Sequence, residues 1–113
     1  MTNLLKETYE DMKSFGVSMD DVLWIGGRDF KITTSDFLVF ANEEYDAGYG
    51  SQKVATDLVI VAKHWWMERS EYDGSECWVF KTRPSPPKDV IPVRTLMGGM
   101  WDTLKELNEE SNE

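Results

Sequence analysis

Two glutamates, Glu71 and Glu76, flank Asp73-Gly74 in the stretch EYDGSE, and Asp-Gly between alternating apolar residues is a strong two-residue hairpin signal. With that turn as the loop, Glu71 lies directly across from Glu76, Arg69 from Trp78, Met67 from Phe80 and Trp65 from Thr82. Like charges opposed in a sheet are unfavourable by roughly a few tenths of a kcal/mol, so stability does not ask for this pair. Paired carboxylates can act as general acid and base, as in glycoside hydrolysis, but such sites sit in clefts whereas a hairpin tip projects. Two readings stay open. Either Arg69, diagonal on the same face, bridges the pair in solvent, or the tip recognises a basic partner.

The stretch GYGSQKV, residues 48–54, sets two glycines and a lysine together, which raises the question of a phosphate cradle. A phosphate loop follows a strand, carries G-x-x-x-x-G-K-[ST] and opens a helix whose amides face the phosphates. Here the order is reversed, because the glycines end a helical pattern and lead into a strand. Gly48 is expected at a helix C′ position with positive φ, and Gly50 in the same turn. His64 and Cys77 are the sole imidazole and thiol, with no short Cys/His spacing, so neither a metal site nor a cofactor is expected. Nucleophilic catalysis by Cys77 would need His64 beside an exposed thiolate. The hairpin register instead sets Cys77 opposite Ser70, on the face away from Trp78.

The elements that position these residues follow from periodicity. Leu4, Leu5, Thr8, Met12 and Phe15 share a helical face over residues 3–15, with Thr2 or Asn3 as N-cap and Gly16 past the end. DVLWIGG reads as a strand closed by two glycines, with a helical turn after Ser18 as its competitor. Thr33 and Asp36 resemble a capping box, and Phe37, Phe40, Ala41 and Tyr45 recur behind them, which predicts a second helix over 34–46. DLVIVA is the β-branched run of a central strand, and with HWWMERSEY and SECWVFKT it forms a three-stranded meander. RPSPPKDVIPV holds all four prolines and reads as a crossover inside the domain, its 90–94 part running along a sheet edge.

Met97, Met100, Trp101, Leu104 and Leu107 recur at helical spacing, and the helix is expected to begin after Gly98 and Gly99, each costing roughly 1 kcal/mol inside one. Asp102, Glu106, Glu109 or Glu110, and Glu113 then form an acidic row, and residues 108–113 a frayed acidic tail. The expected fold is a single α+β domain over residues 1–113. It has a small antiparallel β-meander of three to four strands packed against two or three α-helices.

Charge narrows the function further. With 21 acidic against 12 scattered basic residues the formal charge is −9, which argues against direct nucleic-acid binding and for either simple solubility or steering toward a basic partner. No apolar run approaches the roughly 18 residues needed to cross a bilayer, and the amino terminus lacks a basic region followed by an apolar one, so no membrane association is expected. A single cysteine cannot form an internal disulfide, which fits a reducing cytosol.

Taken together, GYGSQKVATDLVIV, WWMERSEYDGSECWVF and DDVLWIGGRD resemble a family of small uncharacterised proteins carried by bacteriophages and prophages of Gram-positive bacteria. The resemblance covers about residues 19–107: a helix, an EYD-x-G-x-G connection, an aliphatic strand and a tryptophan-rich ERxEYDGSE-W hairpin. Cys77 stands where the family pattern has an aromatic residue. The resemblance implies a compact acidic phage protein of the kind that inhibits or modulates host machinery, anti-CRISPR proteins included.

The expectation is a non-enzymatic protein in the cytoplasm of a bacterial host. It would bind and inhibit a defence nuclease such as a CRISPR effector by presenting acids to a basic nucleic-acid-binding groove. Glu71, Tyr72, Asp73 and Glu76 at the hairpin tip are its partner-binding residues. Asp46 and Tyr49 join them if the two EYD segments, 44–46 and 71–73, meet in space. The alternative is a self-associating structural or assembly protein of the phage that uses surplus tryptophan surface. Monomer and homodimer are both open.

Overall fold

The computed structural model describes residues 1–48 and 50–109, and the chain divides into two units, Met1–Arg83 and Pro84–Glu113. The fold is α+β, as expected, with a larger sheet than the meander alone.

In the first unit the order is β1 (Thr2–Asn3), α1 (Leu4–Ser14), β2 (Val22–Gly26), β3 (Lys31–Ile32), α2 (Thr34–Phe40), β4 (Glu44–Tyr45), β5 (Val59–Ala62), β6 (Trp65–Tyr72) and β7 (Ser75–Thr82). β5, β6 and β7 form the expected meander, and β2 and β3 extend it to a five-stranded antiparallel sheet in the order β3-β2-β5-β6-β7. β5 is therefore central, as its unbroken apolar run requires. The hairpin register is the one the Asp-Gly turn dictates, from Trp65↔Thr82 to Tyr72↔Ser75. Asp73 at φ 52° and Gly74 at φ 85° supply the two positive φ angles of a type I′ turn.

Asn3 caps α1 by accepting from the Lys6 amide at 2.9 Å, and Gly16 leaves its far end at φ 72°. Ser18 caps a short 3₁₀ turn, Met19–Asp21, which runs directly into β2, so both features read from that segment are present. The paired glycines at the end of β2, Gly26 within it and Gly27 just past it, are required by close approach. A Cβ on Gly26 would lie 2.5 Å from the Phe30 carbonyl oxygen, and one on Gly27 would lie 2.6 Å from the Asp57 carboxylate, which accepts from the Arg28 amide at 2.8 Å.

One sheet face carries the core. Ile25, Ile60, Ala62, Trp65, Met67 and Trp78 pack against Met12 of α1 and Phe37 and Ala41 at α2, and Ile25, Ile60 and Met67 are fully buried. Full burial of such side chains stabilises by about 1.5–3 kcal/mol each. Phe15 stacks on Phe80 with centroids 4.3 Å apart. Thr8 shares the buried face of α1 because its hydroxyl is satisfied twice, donating to the Leu4 carbonyl at 2.7 Å and accepting from the Trp78 indole at 2.9 Å.

The second helix is shorter than its periodicity predicts. α2 stops at Phe40, and residues 44–45 become β4, paired with β1 through Thr2↔Tyr45 and Asn3↔Glu44. The reason is tertiary: the carbonyls of Ala41 and Glu43 accept from Leu5 (2.9 Å) and Leu4 (3.1 Å), satisfying orphan amides at the start of α1. An α2 continued to 46 would withhold those carbonyls. Gly48 is accordingly not a positive-φ helix terminus; Gly50, at φ 84°, is the residue that needs glycine.

In the second unit the sole helix among the described residues is α3 (Leu104–Asn108), later than its apolar spacing suggests. Thr103 caps it in a box with Glu106, while Trp101 at φ 72° and the Asp102 carboxylate bound to the Gly99 amide (3.0 Å) break helical geometry before it. The expected helical row of acids does not form, since Asp102 and Glu106 serve as local caps; Glu110 and Glu113 lie outside the described residues. Asn108, read from sequence as the start of a frayed tail, accepts from the amides of Arg94 (2.6 Å) and Thr95 (3.1 Å). The stretch 90–94 forms no strand.

Candidate functional site

Arg69 occupies a core position of β6, between Met67 and the tip, and its side chain is completely buried. A buried guanidinium demands partners, and the fold gathers them from four directions. Glu76, on β7, accepts from its Nη2 at 3.0 Å, Glu7 on α1 from its Nη1 at 3.3 Å, and the Tyr45 hydroxyl on β4 from Nη2 at 2.9 Å. The Tyr45 hydroxyl itself donates to Glu7 through a short hydrogen bond. The Trp78 ring lies under the guanidinium, 4.8 Å from its carbon. Among the described residues, Nε alone of its nitrogens has no partner.

The second half of the cluster answers the question posed by GYGSQKV. The consecutive amides of Lys53 and Val54 do cradle an anion, and the anion is the chain's own Glu76 carboxylate, at 2.6 and 3.2 Å. Glu76 is thus held by one cation and two amides, and its residue is 6% exposed although it sits one pair from the hairpin tip.

Ionisation follows from this geometry. Burial works to raise the Glu76 carboxyl, but the Lys53 amide, Arg69 and the Val54 amide outweigh it and hold the group below the ordinary carboxylate range. Burial likewise works to strip the proton from Arg69, and its bonds to Tyr45 and Glu76 more than reverse this. Burial first, and then donation to Glu7, pushes the Tyr45 phenol up to about 12.

The expected pair therefore separates into two different residues. Glu71 and Glu76 are opposed as the register requires, yet Glu76 is buried while Glu71 is exposed and accepts from the Gly74 amide at 2.7 Å. Arg69 does not bridge them in solvent, because it faces inward and takes Glu7 as its second acid. Tyr72 is 85% exposed, and Asp73 is exposed within the turn. Asp46 is exposed and accepts from the Gly48 amide at 3.0 Å. Tyr49 lies outside the described residues.

The Glu76 amide donates to the Ala47 carbonyl at 2.9 Å, fastening the chain just after the first EYD segment to the start of β7, the strand paired with the second. Glu44, Asp46, Glu71 and Asp73 are all exposed, and among the described residues none of them is in an ion pair.

Glu7 and Val54 were not singled out from sequence, while Tyr45 was read as part of a helical face and Lys53 only as a lysine beside a glycine turn. The available signal was Arg69 itself, an arginine on the same strand face as Met67 and opposite Trp78, which requires a buried acid.

Beside this cluster is a cavity of about 260 Å³ lined by Leu4, Phe40, Glu43, Tyr45, Lys53, Val54 and Ala55, with Glu43 its one acid. Among the described residues no group of three or more His, Cys, Asp or Glu side chains could hold a metal ion. Among the described residues no helix is long and apolar enough to cross a membrane. Compared with known proteins, the chain matches no family model, no curated protein and no solved structure.

Proposed function

We propose that this chain is a phage-encoded binding protein that performs no chemistry, an inhibitor that offers an acidic rim to the basic nucleic-acid groove of a host defence nuclease such as a CRISPR effector. The observation that supports the reading is the Glu76–Ala47 contact, which fastens the chain next to Asp46 to the strand paired with the second EYD segment. Glu71, Tyr72 and Asp73 at the tip and Asp46 beside them are its contact residues. Glu76 acts indirectly, as the internal anion that holds the Asp46 loop and the hairpin together. Separated exposed carboxylates attract a groove built for phosphates and give the encounter its salt dependence. The −9 charge supplies long-range steering to the same end.

The test is a cleavage-inhibition and binding assay with purified CRISPR effector nucleases, using the full chain and the Glu71→Lys/Asp73→Lys double variant at low and high salt. Inhibition should weaken with salt, and the variant should bind at least about tenfold more weakly with an unchanged circular dichroism spectrum. Equal binding by the variant removes the tip from the contact surface. Failure of the native chain to bind any of them removes the nuclease.

A further inference from the structure

β7 is an eight-residue strand at the edge of the sheet, and half of its backbone groups face away from β6. Parity says which half. The Arg83 amide turns inward to the His64 carbonyl, whereas the Glu76 amide turns outward to Ala47, so Glu76, Trp78, Phe80 and Thr82 present their amides and carbonyls to the free edge. Ala47 takes the first of these positions. At Trp78, Phe80 and Thr82 neither the amide nor the carbonyl has a hydrogen-bond partner among the described residues.

Edge strands are ordinarily guarded by charge, proline or a bulge. Residues 78–82 hold no proline, and their pairing with β6 runs without a bulge. Their one charge, Lys81, is drawn back over β6 onto Glu68, Nζ to Oε1 at 2.7 Å, and so does not guard the edge.

We infer that a second copy of the chain pairs here, edge to edge, its β7 antiparallel to this one about a two-fold axis at Phe80, so that two sheets become one. The free positions select the occupant and its register. They are spaced evenly about Phe80 and are bounded by the Glu76–Ala47 bond on one side and by Pro84, which has no amide, on the other. An identical stretch laid antiparallel sets Phe80 opposite its counterpart and Trp78 opposite the partner copy's Thr82, and every free amide and carbonyl in both copies gains a partner. Sliding the partner copy by two residues leaves either a Thr82 carbonyl against the engaged Glu76 amide or a Trp78 carbonyl against Pro84. Side chains agree with the register, since Val79 stands beside the aliphatic stem of the partner copy's Lys81 and no like charges are directly opposed. The −9 on each copy opposes the encounter from a distance, so salt should favour it.

Sedimentation equilibrium of the full chain, from about 10 µM to 1 mM because so short a contact is weak, should show the mass rising from 13.1 kDa toward twice that value, more so at high salt. Thr82→Pro removes an amide that β6 does not use and should hold the chain monomeric across the range with native circular dichroism. Cross-linking reads the register and decides alone if that variant does not fold. With Cys77→Ser as background, Val79→Cys and Lys81→Cys chains mixed in equal amounts should oxidise to a mixed disulfide, because the two positions face each other at about 4.5 Å between Cα atoms. Either chain alone should not, since its two copies' cysteines lie about 8 Å apart. A native chain monomeric throughout, an association that salt disperses, a folded Thr82→Pro chain that dimerises like the native one, or single variants that cross-link as readily as the mixture overturns the inference. Glu71→Lys/Asp73→Lys should dimerise at least as well as the native chain, so failure here and failure of the acidic rim are read separately.

Discussion

Replacing Glu76 by glutamine keeps the side chain's volume and removes the charge on which Arg69, Lys53 and Val54 converge. Arg69 and Glu76 side chains are 0% and 2% exposed, so the lost attraction is that of a desolvated pair, where removing one partner costs about 3–5 kcal/mol. Glu7 still faces Arg69 at 3.3 Å, and the glutamine oxygen can keep one of the two amides. These place the expected loss near the lower bound, about 3 kcal/mol, a large part of the roughly 5–15 kcal/mol that holds a domain together. At about 4–8 °C per kcal/mol, the melting temperature should fall by about 12–24 °C.

Urea unfolding of the full chain followed by circular dichroism measures this directly, with Glu71→Gln as the internal comparison. Glu71 is exposed and loses one bond, to the Gly74 amide, so its variant should stay within about 1 kcal/mol of the native chain. A Glu76→Gln variant within about 0.5 kcal/mol of native, or indistinguishable from Glu71→Gln, would refute the assignment of Glu76 as the buried anchor.

Acid should act through the same carboxylate: its folded pKa lies below the unfolded value of 4.5, so its contribution is complete above about pH 4.5 and is lost as the pH falls through the folded value. Urea midpoints from pH 7 to 3 should decline at the acid end, and a smaller decline is expected in Glu76→Gln; parallel profiles contradict the linkage. At the alkaline end, Tyr45 holds its proton to about 12 against 10.0 unfolded, so stability should be complete below pH 10 and fall through that window, a fall that Tyr45→Phe should abolish. Gly26→Ala should cost about 1–3 kcal/mol or more, since its methyl meets the Phe30 carbonyl and the Lys31 Cα at 2.5 and 2.7 Å, whereas Gly16→Ala, with nothing within 4 Å, should cost about 1–2 kcal/mol from φ alone; equal losses in denaturation would discount the close approach.

Local chemistry was legible wherever it was self-sufficient. Asp73-Gly74 specified the turn and with it every pairing of β6 with β7, and Thr33 marked its cap, while Thr2 or Asn3 and a turn after Ser18 stood as alternatives that the structure resolves to Asn3 and Ser18; each of these bonds closes within a few residues. The extent of α2 was not legible, because its end is decided by amides of α1 almost 40 residues earlier in the chain. The start of α3 was obscured by apolar spacing that a positive φ at Trp101 interrupts. At the candidate site the sequence placed Glu71 across from Glu76 and raised the meeting of the two EYD segments, but it treated the glutamates as equivalents.

Alternation with period two determines which residues share a sheet face, and by that rule Glu71, Glu76 and Arg69 belong together from sequence alone. Whether a residue on that face meets solvent or core depends on what lies above it. Over Glu76 lie α1 with Glu7, β4 with Tyr45 and the Lys53–Val54 amides, all distant in sequence; over Glu71 lies water. Desolvation and the partners that offset it are properties of the assembled layers, so only the tertiary structure could make one glutamate an internal anion in a glycine-led cradle and leave the other exposed at the tip.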